Sequence, residues 1–206
     1  MDRGERREFI LATAMAIIDE QGHQGLTMRA LARECEMSAP GVMHYFPDMP
    51  TLVVAVVAYR DQRDFSDVEI PQPGPGMSRL VLDAVIDNIV DRPKAAELFA
   101  IVEAQAIDPR HPGRDYFRER ADEVAADFAT FLAAEFKDPM PLAHALVAVM
   151  DGLQLNWLRD RDAFDLRERW ASIAEPLFAA AEPLAAEPLA AEPLAAERRA
   201  IAAGPA

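Results

Sequence analysis

The stretch MSAPGVMHYF, Met37 to Phe46, gathers the groups best suited to chemistry of recognition rather than of bond breaking. Ser38 can cap a helix whose first amides would otherwise lack partners, and such amides point toward phosphate. Ala39 is small. Pro40 falls in the first turn, where a missing N–H costs nothing. Gly41 has no side chain and lets the helix approach a base edge or a thymine methyl closely. His44 and Tyr45 follow as groove or phosphate partners, with packing of Tyr45 on a neighbouring helix as the alternative.

Groupings for catalysis are missing. No Ser/His/Asp set, Gly-rich phosphate loop or HExxH is present, and His23, His111 and His144 lack metal-ligand spacing. Carboxylates abound, but on helices they usually line a solvated face. An enzyme is not expected, and neither is a metal or another cofactor. Cys35 is the only cysteine, so no intrachain disulfide framework exists, which fits a reducing, cytoplasmic setting. The charged start MDRGERREF is unlike a secretory signal, and no apolar run reaches the roughly 18 residues of a membrane span.

The elements that position these residues are all helical. RREFILATAMAIIDEQG places Phe9, Ile10, Thr13, Ala14 and Ile17 at helical spacing, with Gly22 as the stop. TMRALARE starts on Thr27 as N-cap, and Met28, Leu31 and Ala32 share a face. A break of a few residues precedes the Ser38 helix, whose Val42 and Phe46 face inward. TLVVAVVAYRDQRD follows, capped by Thr51, and VEIPQPGPG reads as a linker. Five longer helices lie beyond, separated by Pro93, DPRHPG, KDPMP and DRDAFD. The expected fold is all-α with about nine helices. Residues 1–50 form a three-helix unit with a helix-turn-helix, and residues 51–181 form a helical ligand-binding and dimerisation domain. EPLAA then repeats from Glu182, Glu187 and Glu192, so residues 182–206 read as a low-complexity, mobile tail.

Charge opposes DNA contact at first sight. The net is −14 over 206 residues, and nonspecific DNA affinity rests on neutralised phosphates. Residues 1–65 account for only −3, and Arg3, Arg6 and Arg7 crowd the N-terminus, either as a minor-groove arm or as a frayed end.

GLTMRALARECEMSAPGVMHYFPDMPTL resembles the signature region of TetR-family transcriptional regulators. Thr27, Arg29, Leu31-Ala32, Met37-Ser38, His44-Tyr45-Phe46, Pro47 and Leu52 match the family pattern, and the likeness runs over roughly residues 5 to 180. It implies that Thr27, Arg29, Ser38, Ala39, Pro40, Gly41, His44 and Tyr45 meet a double-stranded operator. Four residues depart from the pattern. Glu36 stands where the turn normally carries Gly, Asp48-Met49 replaces a Ser-Lys pair whose Lys meets phosphate, and Met43 occupies a frequent Tyr position.

The later helices carry more large apolar groups than simple stripes need. Phe99, Val102, Phe117 and Met150 with Gln154 are the candidate ligand residues, and Glu103, Gln105, His111 and Asn156 are further polar anchors. PLAHALVAVMDGLQLNWL is apolar round much of its circumference, which calls for a second partner surface. Leu142, Leu146, Val149, Leu153, Trp157 and Trp170 are the expected dimer interface, in the manner of the family's last two helices. The resulting expectation is a homodimeric repressor on a palindromic operator, released by a small apolar or amphipathic effector and not bound to membrane. A helical ligand-binding or interaction module with weak or lost DNA binding is the second reading.

Overall fold

Asp2 opens the first helix rather than a loose arm. Its carboxylate accepts the Glu5 amide at 2.9 Å while Glu5 accepts the Asp2 amide at 2.7 Å, a reciprocal capping box. The computed structural model describes residues 1–67 and 72–184. Among them are nine α-helices: α1 Arg3–Gln21, α2 Met28–Glu34, α3 Ala39–Met43, α4 Met49–Asp67, α5 Met77–Asp91, α6 Pro93–Gln105, α7 Arg114–Leu132, α8 Pro139–Arg159 and α9 Leu166–Ala180. The all-α expectation is met. The first part of the VEIPQPGPG linker and nearly all of the EPLAA tail lie outside the described residues.

Arg3, Arg6 and Arg7 therefore sit in the first turns of α1, and the Arg7 guanidinium lies 5.1 Å from the Phe46 ring centre. The buried stripe of α1 is Ile10, Leu11, Ala14, Ile17 and Ile18. Phe9, expected on that stripe, is exposed, because the face is turned by one residue. Gly22 ends the helix with a φ of 76°, its amide donating to Ile18.

The apolar side chains form two clusters. The first joins α1–α4 (Ile10, Leu31, Val42, Phe46, Leu52, Val56) to Leu98, Phe99 and Val102 of α6 and Phe117 of α7. The second fills the space among α5, α6, α7, α8 and α9 around Leu82, Ile86, Phe128, Leu146, Met150 and Trp170. Polar ties hold the seams. Lys94 at the start of α6 donates to the last carbonyls of α1, Asp19 at 2.9 Å and Glu20 at 2.6 Å. Trp170 donates to Asp83 at 2.7 Å, and Arg167 binds Asp87 at 2.5 Å and Asp91 at 3.0 Å, so α9 is fastened along α5.

Candidate nucleic-acid interface and the seam behind it

α2 begins at Thr27, whose hydroxyl accepts the Ala30 amide at 3.0 Å, and α3 begins at Ser38, whose hydroxyl accepts the Gly41 amide at 3.1 Å. Both caps stand where the sequence put them. The turn between the helices is a Schellman arrangement: the Met37 amide donates to Ala32 at 2.8 Å and the Glu36 amide to Arg33 at 3.1 Å. Glu36 occupies the left-handed position with φ 52°, where glycine is normally found. Cys35 is buried in this turn, and burial pushes its thiol above the ordinary range.

α3 is only five residues long and is anchored from below by Val42 and Phe46, both fully buried. Its outer edge is Ser38, Pro40, Met43 and His44, all exposed, with Ala39 and Gly41 half-exposed. Thr27 and Arg29 are exposed at the head of α2. Tyr45, like Ala39, is half-buried and packed against the first cluster, and it stands edge-on to His44 at 5.6 Å. Met43 was not among the candidates, yet it is 48% exposed one turn beyond Pro40. Its place in a helix anchored by Val42 and Phe46 was the available signal.

At the start of α4, Asp48 rather than Thr51 is the cap: its carboxylate accepts the Thr51 amide at 2.8 Å, and hydrogen bonding from the Thr51 side chain first and then from this amide holds the Asp48 carboxyl below its usual range. The residue that departs from the Ser-Lys pattern thus does the capping work of a serine, and it brings a negative charge with it.

Behind this head the expected ligand residues do not form one group. Phe99, Val102 and Phe117 belong to the first cluster, with Phe99 and Phe117 edge to face at 5.4 Å, whereas Met150 belongs to the second. Gln154 is buried on α8, while Gln105 and Asn156 are exposed and Asn156 donates back to Gly152 at 2.8 Å. Between α4 and α7 lies a half-buried polar seam. Asp61 accepts Arg120 at 2.5 Å and also the Tyr116 hydroxyl, and Arg120 lies over the Phe99 ring at 4.5 Å. Glu103 lies close enough to feel this group, and its carboxyl is pushed up to about 7, first by burial and then by the negative charge of Asp151. Asp61 adds to the rise and Arg120 opposes it. His111 accepts the Gly113 amide on Nδ1 at 3.2 Å, and its Nε2 is buried without a hydrogen-bond partner among the described residues. A separate shallow crevice, open to solvent, lies between α1, α4 and α6, lined by Met15, Ile18, Val56, Val57, Ala95 and Leu98. None of the expected ligand residues lines it.

The dimer expectation needs revision in its residues. Leu142, Leu146, Leu153, Trp157 and Trp170 are buried in the protomer's own second cluster, and only Val149 is partly exposed. The reason is that α8 packs on both α7 and α9, which consumes its most apolar faces. Its outward face carries His144, Ala148, Gly152 and Leu155.

Comparison with known proteins fits this geometry. Residues 10–56 match the family model of bacterial regulatory proteins, tetR family. The chain is 26% identical over 146 residues to an uncharacterised HTH-type transcriptional regulator from the dhlA 5′ region of Xanthobacter autotrophicus, covering 66% of this chain and 71% of that one. It superposes on the multidrug binding protein EbrR complexed with ethidium with a TM-score of 0.62 at 26% identity, over 84% of this chain and 98% of that one. A TetR transcription regulator from Haloarcula marismortui gives a TM-score of 0.72 at 18% identity, over 86% and 98% of the two chains. No helix among the described residues is long and apolar enough to cross a membrane. The family and the fold point to a regulator of transcription and not to an enzyme: the chain carries a tetR-family helix-turn-helix domain at residues 10–56 on the fold of a TetR-type transcriptional regulator.

Proposed function

We propose that this chain is a homodimeric repressor that binds a palindromic operator and releases it when a small apolar or amphipathic molecule binds. The observation that carries the reading is the exposed row Thr27, Arg29, Ser38, Pro40 and His44, with Gly41 half-exposed among them, over a buried Val42–Phe46 anchor. A short helix held from one side and open on the other suits insertion into a major groove. Residues 1–50 do the reading, residues 51–181 bind effector and partner, and the protein acts in the cytoplasm. The two-fold partner meets the small-residue face of α8 at Ala148, Gly152 and Leu155, where a Cβ on Gly152 would touch nothing within the protomer.

Effector binding is placed at the seam of Phe99, Val102, Phe117 and Glu103. The complexes of EbrR with ethidium and proflavin support an aromatic ligand, and the excess of carboxylate at Glu103, Asp61 and Asp151 over the single Arg120 favours a cationic one. The second reading, a module with weak DNA binding, draws on the acidic Glu36 and Asp48 beside the reading face and on the lack of Lys or Arg between Arg33 and Arg60.

One experiment separates the readings. Enrichment of a random duplex library on the full-length protein at low salt should yield a palindromic consensus bound by one dimer. A folded dimer that enriches no sequence overturns the repressor reading. An enriched site whose affinity is indifferent to every aromatic cation tested overturns the effector part alone.

A further inference from the structure

The chain leaving α9 does not run off into solvent at once. Glu182–Leu184 lies antiparallel to Glu135–Lys137, the short connection between α7 and α8. The Lys137 amide donates to the Glu182 carbonyl at 3.1 Å, and the Leu184 amide donates to the Glu135 carbonyl at 2.7 Å. Phe136 faces Pro183 between these two bonds, and the Lys137 ammonium pairs with the Glu182 carboxylate.

The connection is a built edge. Glu135 accepts both the amide of Ser78 at 3.1 Å and its hydroxyl at 2.5 Å, and Ser78 is 1% exposed, so the Glu135 backbone is fixed against the start of α5. Phe136 is braced by Phe178 of α9, with ring centres 5.8 Å apart.

Each residue of the Glu-Pro-Leu triplet answers one demand of this edge. Glu182 supplies a charge for Lys137 and a carbonyl for its amide. Pro183 occupies the pair that exchanges no ladder hydrogen bond, so its missing N–H is not called upon, and its fixed φ holds the peptide extended. Leu184 contributes mainly its amide, its side chain being 44% exposed. The same triplet recurs at Glu187-Pro188-Leu189 and Glu192-Pro193-Leu194.

We propose that Glu135–Lys137 is a strand-addition site for an extended Glu-Pro-Leu peptide, and that the C-terminal repeat is its ligand within the same chain, able to dock in more than one register. The first copy has the shortest tether and is seated. If it is damaged, the second takes the place by looping out one five-residue period, since loop-closure entropy grows slowly with length and the tether keeps the local concentration high. The repeat then works as a set of spare clasps on the α7–α8 connection and the end of α9.

The test is hydrogen exchange at the Lys137 amide in the full-length protein. Glu182→Lys with Leu184→Pro disables the first copy by reversing its charge and removing its donor. The matching pairs at 187/189 and 192/194 disable the others, and Glu182 and Leu184 lie off both cores. With the first copy alone disabled, Lys137 protection should stay within about twofold of the parent. With all three disabled it should fall by about tenfold or more, the loss of two backbone hydrogen bonds at an exposed edge. Equal loss in the two variants shows that later copies do not substitute, and no loss in either shows that the repeat does not protect this edge. Protection of the single-copy variant that rises with protein concentration shows a seat filled from another chain. Each of these three results overturns the proposal.

Discussion

Arg120 of α7 stands 2.5 Å from Asp61 of α4, and the oxygen that receives it also accepts the Tyr116 hydroxyl. One carboxylate on the helix leaving the reading head therefore holds two side chains of the domain behind it. Asp61→Ala removes both bonds and leaves a half-buried guanidinium near Glu103 and Asp151. The expected loss is about 2 kcal/mol, less than for a fully buried pair because both partners keep some solvent. Calorimetry should show a fall in Tm of roughly 6 °C for a chain of this size. An unchanged Tm would mean that the pair is not maintained in solution.

Glu103 makes stability depend on pH in a definite direction. Its carboxyl is raised from 4.5 to about 7 in the folded protein, so the folded state binds the extra proton between those values. Stability contributed by the neutral acid is present in full below 4.5 and is lost as pH rises to 7, after which it stays constant. Glu103→Gln removes this component and should raise stability at pH 8 by about 2 kcal/mol, allowing for partial exposure. Thermal melts of parent and variant at pH 5 and pH 8 check the sign. A variant that gains as much at pH 5 as at pH 8 would contradict it.

Glu36→Gly should stabilise the protein by about 1 kcal/mol, because glycine accepts the left-handed turn without the Cβ penalty that exceeds its cost in chain entropy. It also removes a negative charge beside the reading face, so affinity for duplex DNA should rise. Denaturant melts and fluorescence anisotropy report the two effects separately.

At the seam, a Cβ on Gly113 would come within 2.8 Å of Val54 Cγ2 on α4. Gly113→Ala should cost about 1–3 kcal/mol through overpacking, and Val54→Ala in the same chain should recover most of it. Additive losses in the double variant would show that the two residues do not meet.

Gly41→Glu should abolish duplex binding while leaving helix content and Tm close to the parent. A Cβ there meets only the side chains of Ser38 and Met37, at 3.2 Å and 3.4 Å, and the rest points outward. With so few cations on this face, the slope of log affinity against log salt should be shallow for a dimer, at about 0.9 per phosphate neutralised. Normal binding by the variant would remove α3 from the groove.

The sequence was most legible where a local rule acts alone. Thr27 and Ser38 could be read as caps because a hydroxyl before an amphipathic run has one main use, and Gly22 could be read as a stop for the same reason. Phe9 was misplaced because a stripe at helical spacing fixes a face only to within about one residue of rotation. Phe99 and Met150 were grouped, and Leu146 and Trp170 turned outward, because periodicity tells that a face is apolar but not whose surface covers it. α7, α8 and α9 cover one another. Asp48 displaced Thr51 as cap since two acceptable capping residues stood three positions apart. The seat taken by Glu182–Leu184 depends on a connection some 45 residues earlier, which no local pattern announces.

The first core cluster has a practical bearing on protein engineering. Leu98, Phe99 and Val102 of α6, Ala106 just beyond it and Phe117 of α7 complete a core whose other members come from the segment α1–α4. A chimera that transplants only residues 1–50 onto a foreign sensor loses Leu52, Val56 and Val57 of α4 as well as the residues of α6 and α7, and leaves that core open on both sides. It also leaves the Asp19 and Glu20 carbonyls at the end of α1 without the Lys94 donor that meets them here. A graft that carries α4 and the facing ends of α6 and α7 along with the head keeps its interior whole, and would be the workable unit of exchange.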